Sequence, residues 1–327
     1  MRKGLLLLSF VVPILLAARP AQACDYCILS QGMSPLETVK GAGIRVSERY
    51  SLLNSIYNGT NEVDNRSSKG VSAKEEYWTT EVTGFYSVNP DLTLLAVLPY
   101  KKTSMDGHFH VHGNGNYGWH ADKGKQSGLG DISVLGRYTF FKTHTVETTT
   151  SLAGLAGIKF ATGKTDGKTD DGADYLDSHL QLGTGSTDYV IGVSVSHAAG
   201  RFSVSANVLD VIPTEGEYGD TKHQFGNTLN YDITGKWRVH PAAFAPSSAQ
   251  VFLSLGLNGE LRGKEKGNGA ELANSGGHTI YLAPGVQVTA APHWVFELSY
   301  QHPVYHNLNG AQLGEDYKAV GSVTYLF

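Results

Sequence analysis

The sequence predicts an all-β chain, a transmembrane antiparallel up-and-down β-barrel of about twelve strands. Three observations predict it. Twelve segments alternate apolar and polar residues with a period of two, which gives each one greasy and one polar face. Long polar connections (57–75, 106–127, 163–186, 213–222, 263–277, 305–315) alternate with short turns near 90, 143, 200, 244 and 291. Outer-membrane barrels have this arrangement, with long loops outside and short turns in the periplasm. The closing stretch, Asp316 to Phe327, reads as a strand that stops on an aromatic residue, with Gly321, Val323, Tyr325 and Phe327 on one face. Its free edge disappears if it pairs with the first strand. A soluble two-sheet sandwich would also alternate, but it has little reason to segregate long and short connections.

Residues 1–23 read as a secretory signal. Arg2 and Lys3 precede an apolar run from Leu5 to Ala18, broken by Pro13, and Ala21-Gln22-Ala23 is an A-x-A cleavage site. The run is short for a membrane-spanning helix, and no later stretch approaches the length one needs. The chain then continues at Cys24, a position that raises a lipoprotein reading, although Gln22 is unusual for a lipobox. The two cysteines stand in Cys24-Asp25-Tyr26-Cys27. No histidine follows Cys27, so a c-type haem attachment is excluded. A small Cys24–Cys27 disulfide, a pair of exposed thiols, and a metal or redox role stay open, though two thiolates alone do not fill a tetrahedral site. Residues 24–41 form an N-terminal segment that either hangs in the periplasm or plugs the barrel, which itself spans 42–327.

Composition agrees. Glycine (39) and tyrosine (17) are abundant and the net charge is −4, so no nucleic-acid footprint is present. A hydrophobic fraction of 41% is low for a helical membrane protein and suits a barrel, where every second strand residue faces lipid.

In chain order the strands are expected at about 42–56, 76–88, 92–105, 128–140, 145–162, 187–198, 201–212, 223–238, 249–262, 278–289, 293–304 and 316–327. The first sets Ile44, Val46, Tyr50 and Leu52 against Arg45, Ser47, Arg49 and Ser51, with Glu48 breaking the apolar face. Asn89-Pro90-Asp91 is a tight turn signal. Aromatic residues near strand ends (Tyr86, Tyr100, Tyr138, Phe140, Trp237, Trp294, Phe327) suit interface girdles. If the apolar faces meet lipid, the other faces line the lumen with Arg45, Arg49, Glu81, Asp131, Arg137, Lys159, Asp232, Lys236, Arg238, Glu297 and Gln301. Both signs of charge are present, so ion pairs across a narrow lumen and a hydrated pore lining are both consistent. Twelve strands fall between filled eight-stranded barrels and open porins, which predicts a narrow, partly filled interior.

Three local patterns carry chemistry. His108, His110 and His112 alternate, so on a strand they share one face and could hold Zn or Cu, with His120 nearby; a merely polar loop is the plainer reading. Asp166, Asp170, Asp171, Asp174 and Asp177 make the third loop acidic, without EF-hand spacing. Gly163-Lys164-Thr165 resembles the end of a phosphate loop, but Ile158 stands where its first glycine belongs. No G-x-S-x-G occurs, which leaves little for a hydrolase.

Four motifs resemble a known family. They are Gly128-Leu129-Gly130-Asp131 opening a strand that ends Arg137-Tyr138-Thr139-Phe140; Lys159-Phe160-Ala161-Thr162-Gly163-Lys164, where the family has proline in place of Ala161; Leu182-Gly183-Thr184-Gly185-Ser186-Thr187-Asp188; and Gln301-His302-Pro303-Val304-Tyr305 with Asn309-Gly310-Ala311-Gln312-Leu313 and the closing Thr324-Tyr325-Leu326-Phe327. Together they are similar to the outer-membrane barrel family named for the meta-cleavage pathway of phenol degradation. The resemblance spans about 75–327 and implies a barrel with a transport role, without a defined substrate, a cofactor or established site residues. The Cys24-x-x-Cys27 start and the histidine-rich loop are not part of that pattern.

The expected function is an outer-membrane channel for small molecules, aromatic or hydrophobic compounds included. Its partners are outer-membrane lipid and small solutes, and it is not an enzyme. The alternatives are a metal-binding surface barrel, a conduit wall around a redox partner, and, more remotely, an outer-membrane hydrolase.

Overall fold

The computed structural model describes residues 41–112, 115–145, 147–219, 221–241, 249–290 and 293–327. The expected signal segment, the Cys24–Cys27 pair, nearly all of the N-terminal 24–41 segment and most of the 240–248 turn lie outside these residues.

Alternation writes the wall. The strands are β1 (Ala42–Gly59), β2 (Asn61–Val63), β3 (Lys74–Ser87), β4 (Leu92–Val111), β5 (Tyr117–Leu129), β6 (Ser133–His144), β7 (Thr148–Lys159), β8 (Asp188–Ala199) and β9 (Phe202–Ile212). They continue with β10 (Gly216–Tyr218), β11 (Thr221–Gln224), β12 (Thr228–His240), β13 (Gln250–Arg262), β14 (Lys266–Gly267), β15 (Ala270–Glu271), β16 (Gly277–Ala290) and β17 (Trp294–Leu326). Neighbours in the wall run β1-β3-β4-β6-β7-β8-β9-β12-β13-β16-β17, and β17 returns to β1. The fold is therefore a closed antiparallel up-and-down barrel.

The last element crosses the wall twice. The first arm of β17 pairs with β16, from Ala290↔Trp294 to Gly277↔Leu308. Its second arm pairs with β1, from Asn58↔Ala311 to Gly43↔Leu326. Gly310, with φ +68°, takes the left-handed turn between the arms, where a side chain would be strained. The arms meet again at the other end, where the Leu326 N–H donates to the His293 carbonyl at 2.9 Å. Among the described residues, eleven wall elements thus make twelve crossings, at the positions the alternation predicts. The Phe327 N–H finishes the seam by donating to the Ala42 carbonyl at 2.9 Å.

Burial is inverted relative to a water-soluble protein. Leu255 and Leu298 are 56% and 60% exposed, whereas Arg137 and Asp232 are 3% and 4% exposed. An outer surface this apolar is stable only against hydrocarbon. Aromatic rings border it. Trp294 packs on Tyr325 at 4.7 Å near the short turns, and Tyr50 packs on Trp78 at 4.7 Å toward the long loops. Glu48, the polar interruption on this face, accepts a 2.6 Å hydrogen bond from Thr80 on the adjacent strand.

The long connections are more ordered than their composition suggests. Residues 106–127, expected as a loop, form most of a hairpin, because β4 runs on to Val111 and β5 pairs back along it, from Val111↔Tyr117 to Tyr100↔Leu129. The reason is steric. Gly118 faces His110, and a side chain there would come within 2.6 Å of that ring. Gly124 leaves the space that Leu176 fills. The connections 213–222 and 263–277 join in a small second sheet, β10-β11-β14-β15. Loop 163–186 folds back over the barrel mouth. Its single 3-10 turn, Ser178–Leu180, rests on Leu176 and Leu180, which bury against Met105 and Tyr77.

Closure depends on tight packing beside the seam. A Cβ on Gly43 would lie 2.2 Å from the Phe85 ring and 2.7 Å from the Tyr325 carbonyl oxygen, whereas one on Gly84 meets nothing within 4 Å. Gly43→Val is therefore expected to destabilise the barrel by about 1–3 kcal/mol or more. Gly84→Ala is expected to leave it intact. Heat-modifiable gel migration and urea midpoints read both.

Candidate functional site

Two kinds of surface face the interior. One is apolar. Gly43, Phe85, Leu95, Leu135, Gly157, Val190 and Val211 stand directly opposite one another on successive strands and form a line around the wall from β1 to β9. Val97, Leu155 and Leu209 widen it, and the larger side chains pack into one cluster, none more than 7% exposed. Two glycines make room. A Cβ on Gly157 would come within 2.4 Å of the Leu135 side chain, and one on Gly192 within 2.8 Å of Leu209. The sequence reading gave the interior to polar residues and missed this band. The signal was present as consecutive apolar residues, Leu94-Leu95-Ala96-Val97-Leu98 and Tyr189-Val190-Ile191, which serve both faces at once.

The other surface is charged. Arg45, Arg49, Glu81, Asp131, Arg137, Lys159, Asp232, Lys236 and Arg238 are buried on the inward side of the wall, and Glu297 joins them beside Arg45. Arg45 is 3.1 Å from Glu297 and donates to Ser322 at 3.0 Å. Lys236 lies 3.7 Å from the same Glu297 and donates to Gln287 at 2.7 Å. Asn207 donates to Asp232 at 3.0 Å, Arg137 to Thr139 at 3.0 Å, and Arg49 to Thr79 at 3.5 Å. Gln301 is 1% exposed.

Asp131 explains three of the sequence motifs at once. Its carboxylate accepts from the backbone N–H groups of Thr162 (3.1 Å), Gly163 (2.9 Å) and Thr184 (2.8 Å). Lys159 lies 3.4 Å from it and pairs with Asp188 as well. Gly163 and Gly183 touch backbone to backbone, where a Cβ on Gly163 would meet Gly183 at 2.7 Å. The motif beginning at Gly128, the one ending at Lys164 and the one beginning at Leu182 therefore form one clamp that holds the third loop to the wall.

A denser group lies across the barrel on β13, β16 and β17. Lys318 sits 2.5 Å from Glu260 and 3.1 Å from Glu315, and Arg262 sits 3.2 Å and 3.1 Å from the same two carboxylates. The Tyr281 hydroxyl donates to Glu315, and the Lys318 ammonium stands 4.4 Å from the Tyr281 ring centre. Two cations thus serve two carboxylates with little water. Lys318→Met would leave Glu260 and Glu315 sharing Arg262. The expected cost is about 3–5 kcal/mol, with partial recovery in Lys318→Met/Glu260→Gln, measured by urea unfolding in micelles.

Above this layer the interior opens. A cavity of about 390 Å³ lies under the long loops, bordered by Phe109, His110, Tyr218 and Leu272 among others. A smaller one of about 90 Å³ reaches Arg49, Lys101, Lys159 and Lys318. Leu53, Tyr77, Ser178 and His179 border both, so the 3-10 turn stands at the junction.

The β4–β5 hairpin places His108 and His110 on β4, His112 just past its end, and His120 opposite His108. Ring centres are 4.7 Å apart for His110–His120, 4.4 Å for His110–His112 and 5.7 Å for His108–His110. His108 Nε2 lies 3.3 Å from Asp177, His179 Nε2 lies 3.1 Å from Glu75, and the Tyr77 hydroxyl donates to Glu75 at 2.6 Å. Among the described residues, donor atoms of Glu75, Asp177 and His179 all lie within 4.8 Å of one another. Sequence reasoning did not single out Glu75 or His179, which are far apart in the chain and carry no motif.

The electrostatics follow. Desolvation alone would lower the His179 pKa, but the Glu75 carboxylate, with Asp177 and Glu265, overrides it and raises the value to about 10. A hydrogen bond to Asp177 raises His108 despite its burial. Desolvation and the surrounding imidazoles lower His110. Because the folded His179 pKa exceeds its unfolded value of about 6.5, its contribution is complete below that pH and is lost as pH climbs through about 10. Loop 163–186 is therefore expected to become more sensitive to limited proteolysis between neutral pH and about pH 10.5, and His179→Ala to flatten that dependence.

A solved structure shares the fold. The chain is similar to the COG4313 outer membrane channel from Pseudomonas putida F1, at 12% identity and a TM-score of 0.61, covering 94% of this chain and 100% of that one. It is also similar to the translocator domain of the autotransporter NalP from Neisseria meningitidis (12% identity, TM-score 0.46, 91% and 93% of the chains). The toluene transporter TbuX of Ralstonia pickettii aligns at 11% identity and a TM-score of 0.41, over 95% of each chain. Comparison with curated protein sequences finds no match. Residues 56–307 match the family model described as "Putative MetA-pathway of phenol degradation", and the chain belongs to that family of outer-membrane barrels.

Proposed function

We propose that this protein is an outer-membrane channel through which small apolar molecules, aromatic ones included, diffuse across the bilayer. The interior apolar band from Phe85 to Val211 is the observation that carries this reading. A general porin keeps its lumen polar. An inward band of leucine and valine instead favours a solute that gains by leaving water, at about 25 cal/mol per Å² of apolar surface buried. The charged groups keep the interior narrow, since their side chains are tied to one another across the strands. The fold shared with the Pseudomonas putida channel and the membership of a phenol-degradation family support the same reading. In this reading the chain carries no catalytic site, residues 1–23 direct export and are removed near Ala23, and the barrel resides in the bacterial outer membrane.

Apolar solutes cross phospholipid unaided, so the test needs a lipopolysaccharide leaflet. Cells with an intact outer membrane and expressing the protein are expected to take up a radiolabelled small aromatic hydrocarbon several-fold faster than cells lacking it. Val190→Thr and Leu135→Asn, with heat-modifiable migration retained, are expected to remove most of that gain. Porin-like flux of ions or sugars with no gain in hydrocarbon uptake would sink the proposal.

A further inference from the structure

We propose that the junction of the two mouth cavities is a binding site for a divalent transition-metal ion, with Glu75, Asp177 and His179 as ligands and His108, 3.3 Å from Asp177, as the fourth donor that the ion would draw in. The site is independent of which solute crosses the barrel.

The donor chemistry is the first argument. Two carboxylates and two imidazoles suit Zn²⁺ or Cu²⁺, whereas Ca²⁺ and Mg²⁺ take oxygen ligands. Two carboxylates also neutralise the charge of a dication. Geometry is the second. Donors about 2.0–2.2 Å from a tetrahedral ion stand roughly 3.3–3.5 Å apart. Here the His179–Glu75 and His108–Asp177 separations are 3.1 Å and 3.3 Å. Donor atoms of Glu75, Asp177 and His179 already lie within 4.8 Å of one another.

The site is also held in place from behind. Tyr77 fixes one oxygen of Glu75 and leaves the other toward His179, the kind of outer support that metal ligands need. The turn carrying Asp177 and His179 is pinned by Thr103 and Gln126, which donate to the Leu180 carbonyl at 2.7 Å and 2.8 Å. Gln181 closes the same turn by donating to the Leu176 carbonyl at 2.7 Å. Leu176 and Leu180 anchor it in the apolar cluster with Met105. The ligands come from β3, the β4 extension and the third loop, so an ion would tie all three together across the mouth. His110, His112 and His120 lie further along the hairpin and are not assigned to this site.

The test uses the mature barrel, purified in detergent without a histidine tag and stripped with chelator. Equilibrium dialysis against Zn²⁺ is expected to give one ion per barrel at micromolar or lower concentration. Co²⁺ is expected to give a visible spectrum of tetrahedral intensity. His179→Gln and Glu75→Gln should each weaken binding at least tenfold, with heat-modifiable migration unchanged. The triple change His110→Ala/His112→Ala/His120→Ala should preserve it. Absence of stoichiometric binding overturns the proposal. So does binding that survives His179→Gln and Glu75→Gln but is lost in the triple variant, which would move the ion to the hairpin face.

Discussion

Hydrocarbon offers no hydrogen bonds, so a wall that faces it must satisfy its own backbone. The pairing of β1 with the second arm of β17 meets that demand, and the rest of the structure depends on it. Once the wall is closed, every strand residue points either to lipid or to the interior. That choice is why Leu298 is exposed and Arg137 buried. It also explains the fine packing at the seam, where Gly43 admits the Phe85 ring against the closing strand.

Closure creates a second demand, because the interior must be filled without stranded charge. The chain answers in two ways. From β3 to β9 it packs leucine, valine and phenylalanine into one cluster, beside buried charges on the same strands such as Arg137 and the paired Lys159 and Asp188. From β12 to β17 and in β1 it uses charges joined in groups, as with Lys318, Arg262, Glu260 and Glu315. Buried ion pairs seldom add much net stability, yet breaking one is costly. The charged groups are therefore rigid by mutual obligation, and the apolar cluster fills its share of the interior without needing partners.

Much of this architecture was legible in the sequence, for a physical reason. A strand with lipid on one side must alternate, so Ile44-Arg45-Val46-Ser47 states both its conformation and its orientation. The expected lumen charges follow from the same parity. What parity does not show is an inward residue that is also apolar. Leu95 and Val97 look like part of a continuous greasy run, and their partners Leu135 and Val190 are known only once the register is known. The hairpin over 106–127 was hidden by its glycines and histidines, which normally mark loops but here supply clearance at Gly118 and Gly124. Glu75 and His179 meet only because the third loop folds back onto β3, a contact that no local pattern records.

The seam between residues 42–59 and 308–326 also has a consequence in time. Its partners are separated by nearly the whole barrel sequence, so the closing ladder cannot form until all the intervening hairpins exist. Until then the growing sheet carries two bare edges, and such edges invite pairing with other chains. A topology whose decisive contacts are the most distant ones is slow to complete. The same wall that needs no help once closed thus exposes its edges for as long as closure takes.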